Sequence, residues 1–575
     1  MIIFSPQSKQ FPFLMLILYP SFLLARELPI NPAERLENLH RQQQLQDNIQ
    51  RELREEQRMS QNKARPLGIL STPEIGPTFL IERIYIDSGQ NKPTVDVNDI
   101  LKNYQSKQLG SVGLFNLIRE ISNRYVENGY STTAISLLPG SMKSGEITLQ
   151  VNWGLVDGWL INGKSPSNWR ERWMVETLMP STIGQPLNIY DIDQAVESLS
   201  NGVKIARIDV MPSSKKGYSL LNVVLQSQNV ITLRAGFNNA NPETTTNGRY
   251  QFTFSANSGD VFLLNDRLSV SGGSRYFNEN NGNDEYSGGI NYSVPFGYSD
   301  FGLRYSKSSY NKKIVGKLGN YGSNGDSDTY GLRLNHTLLR NKNDKLSAFT
   351  ELELKDSSNY IEDTLLKVNS KPYRSISIGL KYVTGLAGGS LYSDLSYSRG
   401  LSAFGGQPAA IDESGEGKNF QKLQSNVSWS KAFSAIDMPL EFSLRLSGQY
   451  SQDSMISSYK MGIGDEYTVR GYRGTSAWGD TGILLSSTLE HTLSLPEIPL
   501  LGIGNLNLYT GLDWGSVSDV SYSNGPITTL SGAAVGVRSS WKYLSFALGM
   551  GLPLKKVESI NTPSEVVYLN VDVTY

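Results

Sequence analysis

From Val230 to Tyr575, segment after segment alternates apolar and polar residues, and this alternation constrains the fold more than any other feature. In "ITLRAGFN", Ile231, Leu233, Ala235 and Phe237 alternate with Thr232, Arg234, Gly236 and Asn238. In "YQFTFSAN", Tyr250, Phe252, Phe254 and Ala256 share one face. The chain ends with Val567, Leu569, Val571, Val573 and Tyr575 opposite Tyr568, Asn570, Asp572 and Thr574. Successive side chains on a strand point to opposite faces, so each segment presents one apolar and one polar face.

Two architectures use many such strands. A soluble sandwich or propeller buries the apolar faces. A membrane barrel turns them outward to lipid, around a polar lumen. The segments run about 9–12 residues, enough to cross a bilayer obliquely. Their connections alternate short and long, and an aromatic residue, Tyr575, closes the last strand, as is common in outer-membrane barrels. These features predict a closed transmembrane barrel, the one β arrangement that leaves no backbone edge bare in lipid. At roughly 20–22 residues per strand and connection, residues 229–575 hold about 16 antiparallel strands. The 54 glycines and 30 tyrosines fit a large β protein with many turns.

Different patterns precede the barrel. "FPFLMLILYPSFLLA", Phe11 to Ala25, is too short for a comfortable spanning helix and follows Lys9, which predicts a secretory signal over 1–25. Its one n-region lysine and Leu23, three residues before the expected cut, depart from the usual pattern. The alternative is an N-terminal anchor. Residues 26–60 contain a very polar helix, with Asn31 as N-cap, Pro32 at the first helical position and Glu34 in the first turn. Leu36, Leu39, Leu45, Ile49 and Leu53 form only a thin stripe, so this helix stands in water, pairs weakly or lies in a polar channel. A linker over 61–77 follows.

Residues 78–154 and 155–228 then read as two copies of one β-α-α-β-β module, with "FLIERIYID" as the first strand. In the first copy Leu114, Leu117, Ile121 and Tyr125 share a helix face ended by Gly129. In the second, Asn188 is an N-cap. The predicted fold is mainly β, with a helix and two small α/β domains before the barrel.

Composition excludes several functions. There is no cysteine, hence no disulfide or thiolate site, and His40, His336 and His491 lack ligand spacing, so no metal site is expected. The 53 basic and 54 acidic residues nearly cancel, which argues against a nucleic-acid partner. No nucleotide-binding loop or clustered catalytic set stands out, so neither an enzyme nor a cofactor is expected.

One loop is far longer than a hairpin needs. It spans about 451–481 and carries "VRGY", Val469, Arg470, Gly471 and Tyr472, followed by "GDTG" with Gly479 and Asp480. Two strands further on stands "GLDWG". By parity, Leu512 and Trp514 face lipid there while Gly511, Asp513 and Gly515 face the lumen. Glycines flanking an inward aspartate leave room for another chain to come close.

With these two motifs in this order, behind two α/β modules, the chain resembles the two-partner secretion transporters (TpsB), and its modules resemble POTRA domains. The resemblance covers nearly everything after the signal. It implies a Gram-negative outer-membrane channel with its POTRA domains in the periplasm. The implied partners are a large, unfolded TpsA-like exoprotein, outer-membrane lipid and, during biogenesis, the barrel-assembly machinery. It implies that the long loop folds inward as a hairpin, with Arg470 meeting Asp513, and that the polar helix can plug the lumen. An assembly factor of the same superfamily is the alternative. Before the loop tip the family shows a Glu-Gln-Phe-like stretch, where this chain has "SSYKMGIG".

Overall fold

A computed structural model describes residues 42–54 except 47, and 67–575 apart from 75, 140–143, 201–203, 228–230, 241–247, 263, 278–282, 317–318, 368–369, 412–416, 475, 499–501, 521–526, 559 and 561. The expected signal over 1–25, residues 26–41, 47 and 55–60 of the expected helical region with Asn31 and Pro32, and residues 61–66 and 75 of the linker lie outside the described residues.

The first module contains β1 (Phe79–Ile81), β2 (Arg83–Asp87), α1 (Asn98–Tyr104), β3 (Lys107–Leu109), α2 (Ser111–Glu127), β4 (Ala134–Leu137) and β5 (Glu146–Asn152). β5 pairs parallel with β2 and antiparallel with β4. "FLIERIYID" is therefore two strands rather than one. The amides of Glu82 and Arg83 both donate to the carbonyl of Gly145, at 2.7 and 3.1 Å, and this breaks the ladder. β1 turns away to pair with β3. Leu117, Ile121 and Tyr125 on α2 pack on Ile84, Ile147 and Leu149 of the sheet. That shared face is what the helical spacing of these residues predicts.

The second module contains β6 (Leu155–Ile161), α3 (Trp169–Leu178), α4 (Ile189–Leu199), β7 (Lys204–Pro212) and β8 (Tyr218–Ser227), in sheet order β6-β8-β7. Asn168 caps α3 and Asn188 caps α4 with their side chains. Asn188 also donates to the carbonyl of Asn128 at 3.1 Å, and Tyr190 Oη to that of Glu127 at 2.6 Å. The cap of α4 thus grips the end of α2 and joins the modules.

The barrel strands are β9 (Ile231–Asn238), β10 (Tyr250–Gly259), β11 (Arg267–Tyr276), β12 (Asp284–Phe296), β13 (Ser299–Gly316), β14 (Gly319–Arg340), β15 (Asp344–Ile361), β16 (Pro372–Leu386), β17 (Gly389–Gly400), β18 (Gln421–Ala435), β19 (Met438–Ser451), β20 (Thr481–Ile498), β21 (Gly502–Ser518), β22 (Ile527–Ser540), β23 (Leu544–Pro553) and β24 (Val566–Thr574). Each pairs antiparallel with its neighbours, and β24 closes the sheet on β9. The seam includes reciprocal 2.8 Å bonds between the backbones of Leu233 and Tyr575. Phe252, Phe254, Leu512 and Trp514 are exposed on the outer surface, as parity requires. No described helix is long and apolar enough to cross a membrane.

Strand lengths depart from the expected 9–12 residues, ranging from 8 in β9 to 22 in β14. The polar runs Asp284–Gly289 and Gly319–Asp328 are strand. Beyond the apolar band both faces can stand in water, so polar residues extend the ladder without penalty.

The second module abuts one end of the barrel. Gly297 N–H donates to the Thr177 carbonyl at 2.6 Å, and Tyr298 donates to Asp191. Arg340 donates to Gln194 at 2.7 Å and pairs with Glu197, while Lys345 Nζ lies 2.5 Å from Glu197. Burial alone would raise the Glu197 carboxyl, but the Lys345 and Arg340 charges outweigh it and hold it down to about 2. A depressed pKa contributes stability that is complete above the usual 4.5 and is lost progressively as pH falls from there through about 2. The junction is therefore expected to weaken progressively as pH falls below about 4.5. Glu197→Ala is expected to weaken it at neutral pH by about 3 kcal/mol, because two buried cations lose a shared carboxylate. Limited proteolysis between module and barrel reads this out. An unchanged cleavage rate would show that Glu197 does not hold the junction.

Candidate functional site

Two pieces of chain occupy the barrel lumen. Residues 42–46 and 48–54 are helical. Ile49 and Leu53, two of the five residues of the thin stripe read from the sequence, are buried against Val383 and Tyr392 of the wall, with Leu45 beside them. The polar face bonds inward. Gln42 Nε2 donates to the Gly462 carbonyl at 3.2 Å, Gln46 Nε2 to that of Tyr467 at 2.9 Å, and Glu52 lies 3.0 Å from Lys345 Nζ.

The second piece is the long loop between β19 and β20. Met461–Ile463 pairs antiparallel with Ala477–Gly479, so the loop is a hairpin. Ile463, Val469, Tyr472 and Ala477 pack on Leu484, Val517 and Leu530, forming an apolar contact between loop and wall. At the tip, Arg470 reaches β21. Its Nε donates to Asp513 Oδ2 at 2.6 Å and its Nη2 to Oδ1 at 2.7 Å. Its backbone N–H also donates to Oδ2, at 3.0 Å, and Ser486 Oγ donates to Oδ1 at 2.6 Å. Both partners are buried. A planar guanidinium matches both carboxylate oxygens at once, which a lysine ammonium cannot do.

Close approach explains the glycines. A Cβ on Gly511 would lie 2.2 Å from Arg470 Nη2, and one on Gly515 3.0 Å from Val469 Cγ2. Gly471 has φ +103°, and a Cβ there would meet Leu552 and Pro553 backbone at 2.6 Å. Tyr472 Oη donates to the Lys555 carbonyl at 2.5 Å. Gly479 lies against the Ser518 backbone. Asp480 accepts the amides of Met455 at 2.8 Å and Val520 at 3.0 Å, which ties the base of the hairpin to two neighbouring segments. Tyr575 lies apart from this cluster, at the seam.

Several participants escape sequence reasoning. A Cβ on Gly532 would lie 1.7 Å from the Arg470 carbonyl, and one on Gly551 2.5 Å from Gly471 N. Gly532 is the register partner of Asp513. Tyr568 Oη accepts from Gly471 N at 2.9 Å and donates to the Tyr472 carbonyl at 2.6 Å. The available signal was parity: Tyr568 is an inward tyrosine among small inward residues. The departing stretch "SSYKMGIG" has its own packing. Tyr459 stacks on Phe420 at 4.4 Å, and Lys460 pairs with Asp519 at 2.6 Å.

The family model described as haemolysin secretion/activation protein ShlB/FhaC/HecB matches residues 217–539, more than half of the chain. The chain belongs to this family. The ShlB-type POTRA domain model matches residues 79–154, the first module. The outer membrane transporter CdiB of Dickeya dadantii is 26% identical over 95% of each chain. The hemolysin transporter protein HpmB of Proteus mirabilis is 25% identical over 80% of this chain and 82% of its own. The solved structure of CdiB from Escherichia coli superposes with a TM-score of 0.84 at 23% identity, covering 96% of this chain and all of that one, a likeness of fold. Membership places the barrel in the outer membrane, with the POTRA modules in the periplasm.

Arg470→Ala leaves Asp513 buried without its guanidinium, and the tip is expected to lose about 3–5 kcal/mol of seating. Gly532→Val is expected to displace the tip while keeping the ion pair's chemistry. Hydrogen exchange at the Gly471 amide should rise in both. Protection equal to wild type in either variant would mean that the contact does not seat the tip.

Proposed function

We infer that this outer-membrane transporter of two-partner secretion takes an unfolded exoprotein onto its periplasmic modules and passes it through the barrel to the cell surface. The observation that carries this reading is how the lumen is filled. A barrel core meant to stay shut would be packed with apolar side chains from its wall. This lumen holds a polar helix attached largely by hydrogen bonds and an ion pair to groups that water can satisfy, and an inward hairpin held more firmly by the buried Arg470–Asp513 pair and an apolar contact with the wall. The helix's polar contacts cost little to exchange for water, so the helix can leave while the wall remains.

In this reading residues 26–60 act as a plug, residues 78–154 and 155–228 as two POTRA domains, and the hairpin over 451–481 as a second, more firmly held insert. Asp513, Ser486, Gly511 and Gly515 form its seat. The outer surface is the lipid contact, and assembly of so large a barrel draws on the cell's barrel-assembly machinery. Movement needs no nucleotide: folding of the client outside the cell makes it one-way. The exoprotein is large, secreted and of the TpsA type.

Removal of residues 26–60 is expected to leave an intact barrel of higher mean conductance in planar bilayers. Conductance equal to that of the full chain would count against the plug. Arg470→Ala is expected to lower exoprotein secretion at least about tenfold at equal barrel abundance, with Arg470→Lys in between. The exoprotein in the medium is the readout, and unchanged secretion would remove the hairpin from the transport cycle.

A further inference from the structure

The segment that joins the helix to the first module lies along the outer face of α2, and its mode of attachment is unusual. Leu67 N–H donates to Asn123 Oδ1 at 2.8 Å, and Asn123 Nδ2 donates back to the Leu67 carbonyl at 3.0 Å. One step along, Leu70 N–H donates to Asn116 Oδ1 at 2.9 Å, and Asn116 Nδ2 returns a bond to the Leu70 carbonyl at 3.0 Å. Between them Arg119 donates to the Gly68 carbonyl. At the helix start the Glu74 carboxylate accepts from Gly110 at 3.0 Å, Val112 at 3.0 Å and Gly113 at 2.5 Å.

The spacing is matched. Asn116 and Asn123 stand two turns apart, about 10 Å along the axis. Leu67 and Leu70 stand about 10 Å apart in an extended chain. Each asparagine amide offers one acceptor and one donor, the same pair that a neighbouring β-strand would offer. Apart from Glu74, the segment's side chains contribute little: Leu67, Ile69 and Leu70 are all exposed. What α2 recognises is therefore an extended backbone of nearly any sequence, followed by an acidic residue at the helix N-terminus. Few apolar contacts hold the segment, so another extended chain can replace it.

We propose that this face of α2, built from Asn116, Arg119 and Asn123, is a binding site for an extended, unfolded segment of the exoprotein, filled at rest by the transporter's own residues 67–74. The proposal rests on the reading that the periplasmic modules handle an unfolded client. It adds a place and a chemistry, sequence-independent backbone pairing by side-chain amides. It also adds an order of events. The same stretch of chain leads to the helix in the lumen, so a client that takes the site displaces the tether of that helix.

The test uses the full-length transporter in nanodiscs and a fluorescent peptide copying residues 65–76. Leu67→Pro together with Leu70→Pro removes both N–H donors from the linker and leaves α2 untouched. Peptide affinity is expected to rise at least about tenfold over wild type, since the tethered competitor is weakened. Asn116→Ala with Asn123→Ala, added to that background, is expected to abolish the gain. In cells the asparagine pair alone should lower exoprotein secretion several-fold. Both asparagines lie on a solvent-facing helix surface, and circular dichroism with limited proteolysis verifies the fold. No gain from the proline pair, or a gain that survives loss of the asparagines, overturns the site. Lost peptide binding with intact secretion shows that the ladder serves only its own linker, and overturns the client assignment. Failure of the wild-type chain to secrete its cognate exoprotein is a different result and strikes the transport reading instead, while the peptide arm still decides the site.

Discussion

A strand in hydrocarbon must satisfy every backbone N–H and C=O from within the protein, and a sheet can meet that demand only by closing on itself. The rest of this structure depends on that closure. The first strand, β9, must receive the last, β24, so the C-terminal residues of the chain complete a ladder begun more than three hundred residues earlier, with Asn570–Thr574 in register against Arg234–Asn238. Once the wall closes, its inner face encloses a water-lined space. Whatever enters that space must be polar enough to stand there and small enough at the contacts to fit.

Both occupants of the lumen follow from this rule. The helix of residues 42–54 is too polar for a protein core but suits a wet channel, and its short stripe needs only Val383 and Tyr392 to cover it. The hairpin is attached differently. Arg470 and Asp513 are buried, and their pairing is two-pronged, reinforced by Ser486 and the Arg470 backbone. A buried pair of this kind adds little net stability over an apolar contact, but it is strongly position-specific. The helix is held by a few exchangeable bonds and a short apolar contact, whereas the hairpin is anchored by a buried ion pair and an apolar cluster. The two differ in how easily each is expected to move. Outside the lumen, α2 repeats the theme in its grip on residues 67–74, held by asparagine side chains on its backbone and by the Glu74 carboxylate on the helix start.

Much of this was legible before the structure. Alternation identified the barrel strands, because lipid and water impose opposite demands on their two faces. The inward orientation of Asp513 followed from parity with Leu512 and Trp514. Strand length was underestimated because the polar ends of the strands carry no apolar–polar alternation. Asp284–Gly289 and Gly319–Asp328 are polar on both faces yet remain in the ladder, where water meets the wall above the membrane. The break at Glu82 was invisible because it depends on a distant carbonyl, that of Gly145. Gly532 and Gly551 were not singled out, because a glycine in a strand shows its purpose only when the chain that presses on it is known.

By itself the sequence determined the class of wall, the two repeated α/β modules ahead of it, the polar character of the N-terminal helix and the motif residues that could pair. Each of these is set by local periodicity or by side-chain chemistry. Only the tertiary structure decided which other groups meet besides that expected pair: Gly532 beneath the Arg470 carbonyl, Tyr568 bridging Gly471 and Tyr472, and Glu52 and Glu197 sharing Lys345. These contacts join residues far apart in the chain. Their geometry depends on strand register and on the depth of the hairpin, neither of which leaves a local periodic signal.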